Sequence, residues 1–132
     1  MKKYFVTFEQ AVALKELGFD EPCLAFYYTK TGFLSLGQKP EYLVDKRKAS
    51  YIFGNEKHDV TLALLKSQVF EWFRKEYGYW SYIKEAIKGS CRFYVEKFDE
   101  KFFTSDVIDS YEEAESACID KLIEIVKNNL DK

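Results

Sequence analysis

His58 is the single histidine of this chain, and beside the three cysteines Cys23, Cys91 and Cys118 it is the residue best suited to acid–base, nucleophilic or metal chemistry. One imidazole rules out any two-histidine metal motif and leaves one candidate general base. Its neighbours, Asn55-Glu56-Lys57-His58-Asp59, are polar and place no nucleophile or second ligand in step with it, so it reads as a surface residue. A cysteine–histidine pair needs only closeness in space, and an enzyme centred on His58 and a cysteine is the weakest of three functional readings. The cysteines lie far apart, without a CxxC pair and among apolar neighbours, which suits reduced, buried thiols in a cytosolic protein. Gly32, Gly37, Gly54, Gly78 and Gly89 are isolated and build no phosphate-binding loop. The acid pairs Asp99-Glu100 and Glu112-Glu113 occur in an exposed context and at a helix start. No catalytic residue, metal or cofactor is therefore expected.

Rings are the chemistry that the chain has in excess. Its 132 residues include 12 Phe, 10 Tyr and 2 Trp, an aromatic fraction of 18% within a 47% hydrophobic, 32% charged composition. A net charge of −2 gives no global attraction for nucleic acid. Phe26-Tyr27-Tyr28 and Phe93-Tyr94 put rings on both faces of their strands, because successive side chains point opposite ways. If helices cover one face, tyrosines on the other meet solvent. Tyr27, Tyr79, Trp80, Tyr82 and Tyr94 are accordingly candidate interface residues, tryptophan and tyrosine being common anchors of interfaces. Trp72 and Phe73 fall on a helical stripe and read as core. Lys46, Arg47, Lys48 and Arg92 are candidate anion contacts.

Three helices and two hairpins must position these residues. Thr7 and Gln10 form a capping box, Val6 can staple onto Ala11, and Phe8, Ala11, Leu14 and Leu17 make the stripe that Gly18 ends. Cys23 to Tyr28, the turn Thr29-Lys30-Thr31-Gly32 and Phe33 to Leu36 read as a hairpin. A second helix is expected from Thr61 or so to Tyr77, with Leu62, Leu65, Val69, Trp72 and Phe73 inward and Gly78 as its stop. Tyr79 to Ile87, the turn Lys88-Gly89-Ser90 and Cys91 to Phe98 form a second hairpin. The third helix begins with the box Ser110 to Glu113 and carries Ala114, Ala117, Cys118, Leu122, Ile125 and Val126 toward a core. Residues 37–60 read as irregular or partly strand, with a strand expected at Ser50 to Phe53; Asp99 to Asp109 reads as irregular.

The expectation is an α+β fold in one domain over 1–132, ordered α-β-β-α-β-β-α, with an antiparallel sheet of two hairpins and helices packed mainly on one face. The halves also echo each other, Lys15-Glu16-Leu17-Gly18-Phe19 beside Lys75-Glu76-Tyr77-Gly78-Tyr79, a likeness that helix ends reach through glycine alone. The start of the chain is too soon broken by polar residues for a signal peptide, and no apolar run reaches the roughly 18 residues of a membrane span. A cytoplasmic location follows.

Phe5-Val6-Thr7-Phe8-Glu9-Gln10-Ala11, Leu14-Lys15-Glu16-Leu17-Gly18-Phe19, the segment Gln68 to Tyr77, Tyr111-Glu112-Glu113-Ala114-Glu115 and Leu122 to Lys127 together resemble a family of small proteins from gut Bacteroidetes genomes and their tailed phages and prophages. The resemblance covers about half of the chain, mostly packing motifs, and implies no catalytic residue or ligand. It implies a phage or mobile-element accessory protein in the host cytoplasm. The leading reading is thus a non-enzymatic protein that binds a host or phage protein, or a second copy of itself, through the rings around Tyr79 to Tyr82 or the open sheet face. The alternative is a protein that sequesters a small ligand or nucleotide, which needs a concave pocket where rings meet Lys46, Arg47, Arg74 or Arg92.

Overall fold

Thr7 and Gln10 close the capping box that their spacing predicts. In the computed structural model, Gln10 N donates to Thr7 Oγ1 at 3.1 Å and Thr7 N donates to Gln10 Oε1 at 3.0 Å. The structure describes residues 2–19, 21, 23, 25–36, 50–53, 56–98 and 100–130. Their contacts group into two compact units, Met1–Leu65 and Lys66–Lys132, where the length alone predicts one domain.

In the first unit the box opens α1 (Phe8–Glu16), capped at Leu17 and stopped by Gly18 at φ 98°. Val6, Ala11 and Leu14 are buried, as a hydrophobic staple and an inward stripe require. The sheet has four antiparallel strands in the order β2-β1-β4-β3, where β1 is Ala25–Tyr28, β2 Leu34–Leu36, β3 Ser50–Phe53 and β4 Glu56–Ala63. The expected hairpin is β1 with β2, and Gly32 N closes its turn on Tyr28 O at 2.7 Å. The expected strand at Ser50 to Phe53 is β3; residues 37–49 lie outside the described residues.

β4 corrects the sequence reading, because Thr61 to Ala63 belong to a strand and not to a helix start. It pairs with β3 through Glu56 to Asp59 and with β1 through Val60 to Ala63, so two ladders of backbone bonds outweigh its charged composition. Beyond it, Val6 N donates to Leu64 O at 2.9 Å, which ties the residues before α1 to the residues after β4.

The second unit begins with α2 (Lys66–Tyr77), which buries Val69, Trp72 and Phe73 as its stripe predicts. Its sheet is β5-β6-β7, antiparallel throughout, with β5 Tyr79–Ile87, β6 Ser90–Lys97 and β7 Glu100–Thr104. β7 occupies the first half of the stretch expected to be irregular. Where it ends, the Ser105 hydroxyl takes over from the ladder, accepting from Phe93 N at 2.9 Å and donating to Asp106 O at 2.8 Å. α3 (Tyr111–Leu130) starts at Ser110, whose Oγ accepts from Glu113 N at 3.2 Å.

One face of this sheet, with Tyr79, Cys91, Phe93 and Val95 buried, is the one whose alternation predicted an apolar side. α2 packs on β5, while α3 packs on β5, β6 and α2. α3 buries Ile119 and Ile123 as well as the expected Ala114, Cys118, Leu122, Ile125 and Val126, so its apolar stripe is broader than a single seam. A fully buried side chain such as Leu122 or Ile119 contributes about 1.5–3 kcal/mol, which makes this helix the main glue of the unit.

The α+β class and the order helix, hairpin, helix, hairpin, helix stand, with β3, β4 and β7 added. The hairpins lie in two sheets of four and three strands instead of one.

Candidate protein interface

Register decides which of the five candidate rings reach solvent. Tyr27 is 2% exposed: its odd-numbered side of β1 carries it against Phe8 of α1, edge to face at 5.6 Å, and its hydroxyl donates to Val6 O. Burial first, and the nearby Glu9 second, raise that phenol above its ordinary value. The even side, Phe26 with Tyr28 and Leu62, forms a second apolar cluster, so β1 offers no open aromatic face. Tyr79 is also 2% exposed, and Asn129 Nδ2 donates to its hydroxyl at 3.0 Å. Both tyrosines therefore leave the interface set, and their place is in the core.

Trp80, Tyr82 and Tyr94 remain, and the structure brings them together on the outer face of β5 and β6. Tyr82 lies directly opposite Tyr94, with the rings stacked at 4.8 Å and 14°. The Tyr82 hydroxyl donates to Glu96 Oε1 at 3.1 Å. Desolvation within the face, and then that bond and the Glu96 charge, hold the phenol above its ordinary value, so it stays a neutral donor. Trp80, 58% exposed, carries the Arg74 guanidinium over its ring at 5.0 Å. Arg92, a candidate anion contact, is exposed on the same face opposite Lys84. Two like charges in directly paired positions destabilise a sheet, and an anion placed between them relieves the repulsion.

Composition did not single out Lys84 or Arg74 for this face. For Lys84 the Lys88-Gly89 turn alone was not enough: it sets Ile87 opposite Ser90, and only the bulge at Ala86 shifts the ladder so that even residues of one strand oppose even residues of the other. Arg74 had no comparable signal, since its place depends on how α2 lies on β5.

Beside the face, an open cleft of about 540 Å³ runs between α2, β5 and the start of α3. Phe70, Tyr82, Ile83 and Tyr111 supply its apolar lining, while Arg74, Glu71 and Glu115 supply charge. Glu71 pairs with Lys75 at 2.8 Å, and this contact lowers its pKa. Glu115 is shifted upward, mainly by desolvation, with the Lys66 charge opposing the shift and Glu112 adding to it.

The thiols add no reactive group to this site. Cys23, Cys91 and Cys118 are buried free thiols, and burial pushes Cys23 and Cys118 up to about 12, so neither is a thiolate at neutral pH. The backbone of His58 lies in β4 opposite Tyr51, and its side chain is outside the described residues. Lys46, Arg47 and Lys48 also lie outside them. Among the described residues no group of three or more His, Cys, Asp or Glu is placed to hold a metal ion, and no helix is long and apolar enough to cross a membrane. No known protein family, curated protein or solved structure matches the chain.

Proposed function

We propose that this is a non-enzymatic accessory protein of a phage or mobile element, working in the host cytoplasm by binding a host or phage protein through the outer face of β5 and β6. The observation that carries the reading is the outer-face cluster of exposed Trp80 and Tyr82 with half-buried Tyr94, flanked by Arg74, Arg92 and Lys84. Aromatic rings and arginines are the groups that anchor protein interfaces when water is excluded around them. Stacking and the bond to Glu96 hold the Tyr82 ring in place before any partner arrives, which lowers the entropy lost on association. The resemblance to phage-borne proteins supports the setting. The charges on the face favour a partner surface that mixes carboxylates with apolar side chains.

Affinity capture with three forms of the full chain tests the reading. A protein held by wild type and by Phe98→Ala, which alters an exposed ring outside the cluster, but lost from the Trp80→Ala/Tyr82→Ala double variant is the expected result. Retention by the double variant overturns it.

The cleft favours a second reading, the sequestering of a small ligand, because Phe70, Tyr82 and Tyr111 meet Arg74 there. Glu71 and Glu115 share the same walls and repel a polyphosphate, so protein binding remains the conclusion. A melting temperature that rises with one nucleotide of a panel would reverse this order.

A further inference from the structure

We infer that β5 takes up an extended, acidic segment of the partner protein as an added strand along its open edge, opposite β6. This rests on the reading of the β5 and β6 face as a protein-binding surface, and it names how the partner engages.

The backbone settles which groups point outward. On the β7 side of β6, Cys91 exchanges bonds with Ile108 at 2.8 and 2.7 Å, and Phe93 O accepts from Ser105 N at 3.0 Å. The odd residues of β6 thus aim their N–H and C=O groups away from β5, and the even residues aim theirs toward it. Because Trp80, Tyr82 and Lys84 are paired with Glu96, Tyr94 and Arg92, the even residues of β5 use their backbone groups within the sheet. Ser81 and Ile83 present theirs at the outer edge, where no strand pairs among the described residues.

An edge of nine residues normally carries a guard against such pairing: proline, a bulge, or a covering segment. β5 has its bulge at Ala86, between Glu85 and Ile87, well past Ser81 and Ile83. At Ser81 and Ile83 the edge instead borders the cleft, which those two residues line with Phe70 and Tyr111. An incoming strand would alternate its side chains: one set enters the cleft, and the other lies on the outer face beside Trp80, Tyr82 and Lys84. Lys84 stands next to that outer set and Arg92 one strand further in, so an acidic residue set beside Lys84 is drawn by both charges and offsets their mutual repulsion.

The test titrates the full chain with a capped peptide, Thr-Val-Glu-Val-Tyr-Val-Glu-Val-Thr, and with the same peptide carrying Lys in place of both Glu residues. Binding of the Glu peptide with slowed hydrogen exchange at the Ser81 and Ile83 amides is expected, together with affinity on the order of tenfold lower for the Lys peptide and for Arg92→Glu. Ile83→Pro removes an outward N–H, a position at which an edge strand tolerates proline, and is expected to abolish binding at an unchanged circular dichroism spectrum. Arg92→Glu keeps the test decisive should the proline variant misfold.

Absence of binding, or binding indifferent to the sign of the peptide charge, overturns the inference. Binding that requires Trp80 and Tyr82 but leaves the Ser81 and Ile83 amides exchanging as before overturns strand addition while the protein-binding face survives. Protection of the same amides without peptide, with a doubled mass in sedimentation, replaces the peptide with a second copy of this chain.

Discussion

Asn129, near the end of α3, donates from Nδ2 to the hydroxyl of Tyr79, the first residue of β5, at 3.0 Å across 50 positions of sequence. Tyr79 is thereby fixed beneath the sheet, with the Lys97 ammonium 5.0 Å from its ring. Its neighbour Trp80 must then point outward.

Tyr79→Phe is expected to lower stability by about 1 kcal/mol, the net worth of one such hydrogen bond, and Asn129→Ala by a similar amount. A double-mutant cycle measured by urea unfolding should return most of that loss as coupling. Simple additivity of the two variants would show that the bond contributes nothing.

Gly78 joins α2 to β5 at φ 75°, and a Cβ added there meets nothing within 4 Å. The cost of Gly78→Ala is therefore conformational, on the order of 1–2 kcal/mol for a left-handed residue. Asparagine visits that region more readily, so Gly78→Asn should lie between the two in urea midpoint.

Glu115 has its pKa raised in the native protein, chiefly by desolvation, above the ordinary carboxylate value. The native state then holds more protons than the unfolded state across the window that begins at the ordinary value, and stability falls as pH rises through the raised one. Glu115→Gln should remove this slope and melt higher than wild type at neutral pH. Lys66→Met takes away the charge that opposes the shift and should steepen the slope. Melting curves at several pH values across the carboxylate range decide both.

The three thiols are buried, at 3%, 5% and 0% exposure for Cys23, Cys91 and Cys118. Thiolate is the reactive form, and at mildly alkaline pH the native chain should react slowly with a disulfide reagent while the unfolded chain reacts at all three positions. Rapid reaction of one cysteine in the native state would mean a local opening near it, which hydrogen exchange can locate.

Helix ends and hairpin turns were legible because each is a local device. Thr7 with Gln10, Gly18, Gly78 and the Lys88-Gly89 turn act within a few residues, and the structure contains all of them. β4 was not legible, since Glu56-Lys57-His58-Asp59 owe their conformation to β3, whereas Thr61 to Ala63 owe theirs to β1. β7 escaped for the same reason, its strand partner among the described residues being β6. The site was half legible. Trp80, Tyr82, Tyr94 and Arg92 follow from alternation along two strands, but Tyr27 and Tyr79 show that residue type cannot say which face a helix will cover. The pairing of Lys84 with Arg92 required the register, and the stacking of Arg74 on Trp80 required the packing of α2.

The extra residue at Ala86 also works as a ruler. From Tyr79 to Glu85 the strand keeps one unbroken register, roughly 23 Å at about 3.3 Å per residue, and past the bulge its twist carries the edge out of line. Under the proposed strand addition, a segment matching that span would gain every contact on offer, and lengthening it toward the Lys88-Gly89 turn would add no grip.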